Sequence, residues 1–232
     1  MLTGGAAQVQ DRFRARVLAG DLRLDTTWGQ PCRSYNVYLD LPAAAIQDLS
    51  AAQDRVLAAE PSLIRVPRHA LHSNLAWLLS VYLDLPPAGK DRRWQQHGAG
   101  WLSVVAAELA SLAPRCRLRY RDVVATDSAV IALAWPAEPV NELRARLAER
   151  LDLGRPVSGG DLVHTTLFRY REPLADPAAL LRELAGLDLD INADVTHVQL
   201  VKEKIFPNLE FEVLGRLSLT PQGQQPGQGQ RA

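Results

Sequence analysis

Two segments of the 232-residue chain place a histidine and a polar side chain two residues apart in a pattern typical of a β-strand. In DLVHTTLFRY the pair is His164 and Thr166, and in LHSNLAWLL it is His72 and Asn74. Because side chains alternate across a strand, both members of each pair point to one face and leave the other face for a core. Each strand is therefore predicted to carry one polar, reactive face.

Paired imidazoles can perform acid-base chemistry without a metal. A neutral ring removes a proton from a nucleophile, while a charged ring donates one to the leaving oxygen. Phosphodiester cleavage suits this arrangement, since the attacking and leaving oxygens lie on opposite sides of phosphorus. Thr166 and Asn74 would then donate hydrogen bonds to the non-bridging oxygens, where charge develops.

An internal repeat links the two histidine-bearing strands. YNVYLDLP and AVIALAWP both read as a strand closed by proline, and each is followed by a helical pattern and then by the histidine strand. Pro42 precedes His72 by 30 residues, and Pro136 precedes His164 by 28. The repeat predicts two similar lobes related by a pseudo-twofold axis, with the histidines facing each other. The alternative is that they are two unrelated structural histidines.

Composition limits the other classes of function. The 26 basic and 26 acidic residues give a net charge of zero, so the chain lacks the overall field that bulk nucleic-acid or anionic-membrane binding exploits. Cys32 and Cys116 form no metal-ligand or redox pattern, and no zinc spacing or phosphate-binding glycine loop occurs. We expect no metal and no cofactor. The apolar runs are too short for a membrane span or a signal peptide, so we expect a cytoplasmic protein that does not bind membranes.

Strand and helix patterns alternate along the chain and predict an α+β fold. We expect residues 1–33 to be an N-terminal extension containing a short amphipathic helix, with Val9, Phe13 and Val17 at helical spacing. Residues 34–220 are predicted to form a single bilobal domain. Residues 221–232 are rich in Gln, Gly and Pro, which is typical of a disordered tail.

The two motifs, H72-S-N-L75 and H164-T-T-L167, resemble the paired His-x-Thr/Ser signatures of the two-histidine (2H) phosphoesterase superfamily. The segments YNVYLDLPAAAIQDL, IRVPRHALHSNLAWL and VQLVKEKIFPNLEFEVLGRLSL are also similar to its bacterial RNA 2′,5′-ligase/2′,3′-cyclic phosphodiesterase branch. The resemblance covers roughly residues 34–220. It implies two pseudo-twofold-related lobes with antiparallel-rich sheets, a central cleft, and helices outside. It also implies cyclic or 2′,5′ phosphodiesters as substrates.

Further residues near the motifs are candidates for substrate contacts. Arg169 stands where the family has a basic residue, although strict alternation turns it away from His164 unless the strand is twisted. Tyr170 should lie on the His164 face and could stack on a base, whereas Trp77 should face away from His72. Four other basic residues could contact phosphate at the rim: Arg65, Arg68, Lys202 and Lys204.

The leading expectation is a metal-independent phosphodiesterase that opens 2′,3′-cyclic or related diesters of RNA ends or nucleotides, with His72 and His164 as catalytic residues. Asn74, Thr166 and Arg169 would bind the phosphate. Asn74 departs from the family's Thr or Ser, so the alternative is a non-catalytic binder of phosphorylated RNA ends or nucleotides on the same fold. We expect a monomer whose partner is a small-nucleotide or RNA-end substrate.

Overall fold

A computed structural model describes residues 2–110, 116–153, 156–157 and 160–219. The predicted tail at 221–232 lies outside these residues. The helices are α1 (Gly4–Leu18), α2 (Ala43–Ala59), α3 (Pro87–Ala110), α4 (Glu138–Arg150) and α5 (Pro177–Gly186). The strands are β1 (Pro31–Leu39), β2 (Ile64–Arg65), β3 (Ser73–Leu79), β4 (Cys116–Ala125), β5 (Ala129–Trp135), β6 (His164–Arg169), β7 (Ile191–Val195), β8 (His197–Ile205) and β9 (Glu210–Ser218).

The strands form one antiparallel sheet that consists of two halves. Over the described residues the order is β7-β4-β5-β6-β3-β1-β8-β9, and the short β2 pairs with β6. The halves meet where β3 runs beside β6, through the single register pair Ser73 and Thr165. Each histidine motif therefore lies at the central joint of the sheet.

The two halves repeat the same arrangement. The unit β1-α2-β3 corresponds to β5-α4-β6. On its outer side the first half adds β8 and β9, and the second half adds β4 and β7. These are the two pseudo-twofold-related lobes that the repeat in the sequence predicts. The mixed α+β, antiparallel-rich fold is confirmed.

Each crossover helix packs against the opposite lobe. Helix α2 leaves β1 but contacts β6, β7 and α5, and α4 leaves β5 but contacts β3 and α3. Leu49, Ala52 and Val56 form the fully buried face of α2. Beside them Gln53, which has no exposed surface, donates to the carbonyls of Val66 and Leu167. The exchange of helices fixes the lobes relative to each other and so fixes the joint that carries both motifs.

The N-terminal helix is part of the packed structure. Helix α1 contacts β4, and its Ala6 and Val9 join Val124, Ile131 and Leu133 in a separate small core. Gln10, 6% exposed, donates to the carbonyl of Ala125 and accepts from its amide. Docking of α1 leads the following residues, 19–30, toward the joint between the lobes.

Candidate active site

A one-residue bulge follows the motif in each of the two histidine strands. In β3, Asn74 pairs with Tyr38 and Ala76 with Val37, so Leu75 is the extra residue. In β6, Thr166 pairs with Ile131 and Phe168 with Val130, so the extra residue is Leu167. A bulge reverses the alternation of faces beyond it. It therefore returns the fifth residue after each histidine to the face of that histidine, namely Trp77 and Arg169.

A cavity of about 650 Å³ lies over this joint. Its lining includes three side chains from each strand at equivalent positions: His72, Asn74 and Trp77, and His164, Thr166 and Arg169. Because β3 and β6 are antiparallel, Trp77 and Arg169 lie toward opposite ends of the cleft. One end thus offers an aromatic ring and the other a cation, with the two motifs between them.

His72 is held on several sides by polar groups. Its Nδ1–H donates to the carbonyl of Ala70 at 2.7 Å. In the neutral ring, Nε2 is therefore the unprotonated nitrogen. The ring stacks on Tyr38 with centroids 4.2 Å apart. The Asn208 amide nitrogen lies 3.2 Å from both ring nitrogens, and that of Asn74 lies 3.4 Å from Nε2.

The residues behind His72 form a buried polar network. Glu203, 3% exposed, accepts from the Ser34 hydroxyl at 2.5 Å and from the Asn208 amide N–H at 2.7 Å. Burial raises the pKa of Glu203, against the lowering effect of these two hydrogen bonds. Asn36 donates to Ser34 and to Tyr38, and Tyr38 bonds the Asn208 side chain. Asn208 itself has φ +57°, in the left-handed region. The network fixes the ring and amide that contact His72.

His164 occupies the equivalent place in a different environment. Ile131 and Ala129 take the positions that Tyr38 and Asn36 hold beside His72, so apolar side chains replace the polar network. The Leu162 carbonyl raises the pKa of the ring, yet Nδ1 is buried and makes no hydrogen bond of good geometry with the described residues. The two histidines are thus equivalent in backbone position and unequal in surroundings.

Burial lowers the pKa of both histidines to about 4. The Ala70 carbonyl opposes this shift at His72, and Arg169 adds to it. At His164 the positive charges of Arg144, His72 and Arg169 all add to it. Both rings are therefore neutral at pH 7 in the free protein. A phosphate anion between them would raise both pKa values and allow one ring to carry the proton that a general acid needs.

Arg144 of α4 ties the two motifs together. Its guanidinium donates to the carbonyls of Asn74 at 2.6 Å and Leu75 at 3.2 Å in β3, and to that of Leu162 at 3.1 Å before β6. The side chain is 6% exposed, and its burial lowers its pKa to about 10, an effect that the charge of Asp161 opposes. Nothing in the sequence pattern marks this arginine, because its partners are carbonyls brought together by the crossover helix.

The structure corrects three sequence-based expectations. Alternation places Tyr170 on the His164 face, but the bulge turns it into the core, where it is 1% exposed and donates to the carbonyl of Thr126 at 3.0 Å. A stacking role for Tyr170 is therefore wrong. Alternation also turns Trp77 away from His72, yet Trp77 lines the cleft. The predicted rim cations do not line the cleft: Arg65, Arg68, Lys202 and Lys204.

The N-terminal extension forms one wall of the cleft, which the sequence did not indicate. Residues 23–27 line it together with Arg12 and Phe13 of α1. The Arg23 amide donates to the Asp127 carbonyl and the Asp25 amide to the Tyr170 carbonyl. At the far end the Gly29 amide donates to the carbonyl of Phe206. We call residues 23–30 the strap, because they run from one lobe to the other beside the site.

Several solved structures of other proteins share this architecture. TT0787 of Thermus thermophilus superposes with a TM-score of 0.59 at 22% identity, over 80% of this chain and 97% of that one. Escherichia coli LigT without ligand gives a TM-score of 0.52 at 16% identity over 82% and 99%. A structure described as a phosphoesterase gives 0.53 at 16% over 81% and 99%. The chain has the two-histidine phosphoesterase fold.

These likenesses are at the level of fold. No protein-family model matches the chain, and no curated protein matches it. LigT has also been solved with 3′-AMP, a structure that superposes with a TM-score of 0.51 at 16% identity over 82% of this chain and 99% of that one. The chemistry of this chain has to be argued from its own residues.

Two further observations concern metals and membranes. Among the described residues no group of three or more His, Cys, Asp or Glu side chains is arranged to hold a metal ion. Across the same part of the chain, every helix is too short or too polar to cross a lipid bilayer.

Proposed function

We propose that the protein is a metal-independent phosphodiesterase that opens 2′,3′-cyclic or related cyclic and 2′,5′ phosphodiesters of nucleotides or RNA ends. The observation that carries the proposal is the convergence of His72 and His164 on one cleft from equivalent positions of two antiparallel strands. Each strand adds a hydrogen-bonding side chain two residues on, Asn74 or Thr166. Two proton-transfer groups and two donors are what hydrolysis of a cyclic phosphate needs.

In the proposed reaction the cyclic phosphate lies between the two imidazoles. One neutral ring accepts a proton from water through Nε2 as the water oxygen bonds to phosphorus. The opposite P–O bond breaks, and the other ring, protonated in the complex, donates its proton to the departing sugar oxygen. Asn74 and Thr166 donate to the non-bridging oxygens, and Arg169 supplies positive charge from the same face. The substrate's own anion raises the pKa of the acidic ring.

Trp77 favours a nucleotide over other cyclic phosphates. It lines the end of the cleft away from Arg169, where an indole ring offers a stacking surface for a base. LigT, which shares the fold, has been solved with 3′-AMP. That ligand combines a phosphate with a base, as the proposed substrate does.

A non-catalytic binder of phosphorylated RNA ends or nucleotides is the second candidate, and one observation favours it. Asn74 stands where the superfamily has Thr or Ser, and its Nδ2 lies 3.4 Å from His72 Nε2, the nitrogen that would act in catalysis. An amide directed at that nitrogen competes with the proton transfer. In such a binder the cleft would keep its affinity for phosphate without turnover.

The proposal is tested with purified protein that has been treated with EDTA. This protein is incubated with a panel of 2′,3′-cyclic nucleotides, cyclic-ended RNA and 2′,5′-linked dinucleotides. We expect hydrolysis that survives the chelator and is lost in His72→Ala and in His164→Ala. Binding of these ligands without turnover would select the binder. Activity that disappears with EDTA and returns with a divalent metal would contradict the metal-free mechanism.

A further inference from the structure

Arg169 meets an acidic residue from the strap at its end of the cleft. Asp25 Oδ2 lies 3.9 Å from Arg169 Nε, with the Asp25 side chain 6% exposed and that of Arg169 21% exposed. The other carboxylate oxygen of Asp25 accepts from the Thr27 amide at 2.9 Å and from its hydroxyl at 2.8 Å. These bonds, and that of the Asp25 amide to the Tyr170 carbonyl, hold the carboxylate toward Arg169.

The two facing atoms of this ion pair are both unsatisfied. Asp25 Oδ2 and Arg169 Nε are buried, and neither makes a hydrogen bond with the described part of the chain. Buried polar atoms of this kind cost free energy unless an ordered water or a ligand group completes them. One is an acceptor and the other a donor. The group that satisfies both must accept from Nε–H and donate to the carboxylate, which a hydroxyl does and a phosphate dianion does not.

The shape of a nucleoside cyclic phosphate brings a sugar substituent to this place. The base leaves the ribose at C1′ and the 5′ carbon leaves it at C4′, on either side of the C2′–C3′ edge that carries the phosphate. With the phosphate between the histidines and the base on Trp77, the 5′ group extends toward Arg169. Phe206, whose ring lies 5.7 Å from the Arg169 guanidinium carbon, limits the movement of that side chain.

We propose that Asp25 and Arg169 form a hydroxyl-selective subsite, in which Asp25 is a specificity-determining residue that favours a free 5′-hydroxyl over a second phosphate. The inference rests on the proposed function and narrows its substrate class. A nucleoside 2′,3′-cyclic phosphate with a free 5′-hydroxyl fits, whereas an RNA end or a 5′-phosphorylated nucleotide places a second negative charge beside Asp25. Asp25 neutralises Arg169, so the pair offers a second phosphate no net attraction, whereas a hydroxyl can bond both partners. Without the Asp25 charge, the cation of Arg169 would attract a second phosphate, so we expect Asp25 to change selectivity by about tenfold.

The first experiment compares two substrates that differ only at this position, adenosine 2′,3′-cyclic phosphate and its 5′-phosphorylated form. We expect wild-type kcat/KM to favour the 5′-hydroxyl substrate by about tenfold or more. Asp25→Asn, which retains an oxygen for the turn with Thr27, should reduce that ratio about tenfold, mainly through KM. An unchanged ratio overturns the proposal. A rise of kcat/KM in Asp25→Asn that is equal for both substrates also overturns it, since Asp25 would then compete with the reacting phosphate itself.

A binding measurement decides the same question without turnover. Calorimetric titration with 3′-AMP and with adenosine 3′,5′-bisphosphate should show wild type preferring 3′-AMP, and Asp25→Asn losing that preference. If the protein binds both but hydrolyses nothing, the proposed function fails while this ratio still tests the subsite. If wild type and variant both bind neither ligand, or bind them with the same ratio, the subsite is refuted.

Asp21 provides the matched control. It lies before the strap in the same extension, is 66% exposed, and pairs with Arg16. Asp21→Asn removes the same charge at a distance from the cleft. It should leave unchanged both the kcat/KM ratio of the two substrates and the affinity ratio of the two ligands. Asp25→Ser is the second variant in case Asp25→Asn folds poorly, since serine can also form the turn. It should shift both ratios in the same direction as Asp25→Asn.

Discussion

At the scale of single residues, Asn74 is the feature that decides between enzyme and binder. It occupies the position equivalent to Thr166, two residues after its histidine on the same face of the cleft. Asn74→Thr should keep or raise kcat, because threonine still donates to a phosphoryl oxygen and does not direct an amide at His72 Nε2. Asn74→Ala should lower kcat by about 10²–10³-fold, as the loss of one transition-state donor does.

Steady-state kinetics with the preferred cyclic nucleotide measure these effects, and Thr166→Ala should show a loss of similar size. An inert wild type that Asn74→Thr activates would mean that the cleft is intact and that the natural protein is a binder. If Asn74→Ala and Thr166→Ala both leave kcat unchanged, neither residue holds the phosphate during the reaction.

The lowered histidine pKa values predict an acid-shifted pH profile. One ring must be protonated and the other neutral for the reaction. Since both pKa values lie near 4 in the free protein, the required proton is lost as pH rises above about 5, and kcat/KM should fall from there through neutrality. In the complex the phosphate anion raises the pKa of the acid, so kcat should fall at a higher pH than kcat/KM does.

Initial rates measured between pH 4 and 9 check this expectation. The two limbs of the pH profile belong to the pair of histidines and not to either ring. Arg169→Gln removes a charge that lowers both histidine pKa values, so its kcat/KM limb should move toward higher pH. Profiles of kcat/KM and kcat that coincide would contradict the shift on substrate binding.

At the scale of elements, the bulges at Leu75 and Leu167 decide which side chains reach the cleft. The bulge in β3 brings Trp77 to the base end. Trp77→Ala should therefore raise KM for a cyclic nucleotide roughly tenfold with little effect on kcat, because base stacking is worth about 1–3 kcal/mol. Trp77→Phe should restore most of the affinity. KM for a base-free ribose cyclic phosphate should not change in either variant, and an equal rise there would show that Trp77 acts only through folding.

The same elements show what the sequence could and could not predict. Alternation placed His72 with Asn74 and His164 with Thr166 correctly, because no irregularity separates the members of a pair. It failed at Trp77 and Tyr170, which lie beyond the bulges, and a bulge in a run of apolar residues leaves no mark in the pattern of polar and apolar positions. Helix α3 begins at Pro87, and its polar first turns lack the apolar periodicity by which a helix is predicted from sequence.

At the scale of the whole molecule, the repeat predicted two lobes but not the features that break their symmetry. The polar network of Tyr38, Asn36 and Asn208 surrounds only His72, whereas Ile131 and Ala129 take the equivalent places beside His164. The strap likewise closes one side of the cleft from a segment outside both repeats. Such long-range contacts depend on how the lobes and the N-terminal helix pack, which local patterns do not encode. A symmetric fold thus places its two histidines in unlike surroundings.

Arg144 should couple the stability of the molecule to the geometry of its site. Its guanidinium joins the carbonyls of Asn74 and Leu75 in one lobe to that of Leu162 in the other. Arg144→Met would leave buried carbonyls unsatisfied and should lower the free energy of unfolding by about 2–4 kcal/mol. It should also reduce kcat more than it changes KM, because the two histidines would lose their fixed separation. Urea denaturation and steady-state kinetics measure both effects.

Arg150 on the same helix is the control. Its side chain is 53% exposed, and its partner Glu108 is a buried carboxylate that keeps a second partner, Arg146, at 2.8 Å. Arg150→Met should therefore lower the free energy of unfolding less than Arg144→Met does, and it should leave kcat unchanged. Arg144→Lys distinguishes the two roles of Arg144. A lysine retains the charge but cannot reach carbonyls of both lobes with one rigid planar group. If Arg144→Lys keeps full kcat, the arginine contributes charge alone, and the coupling of the two motifs through its guanidinium is refuted.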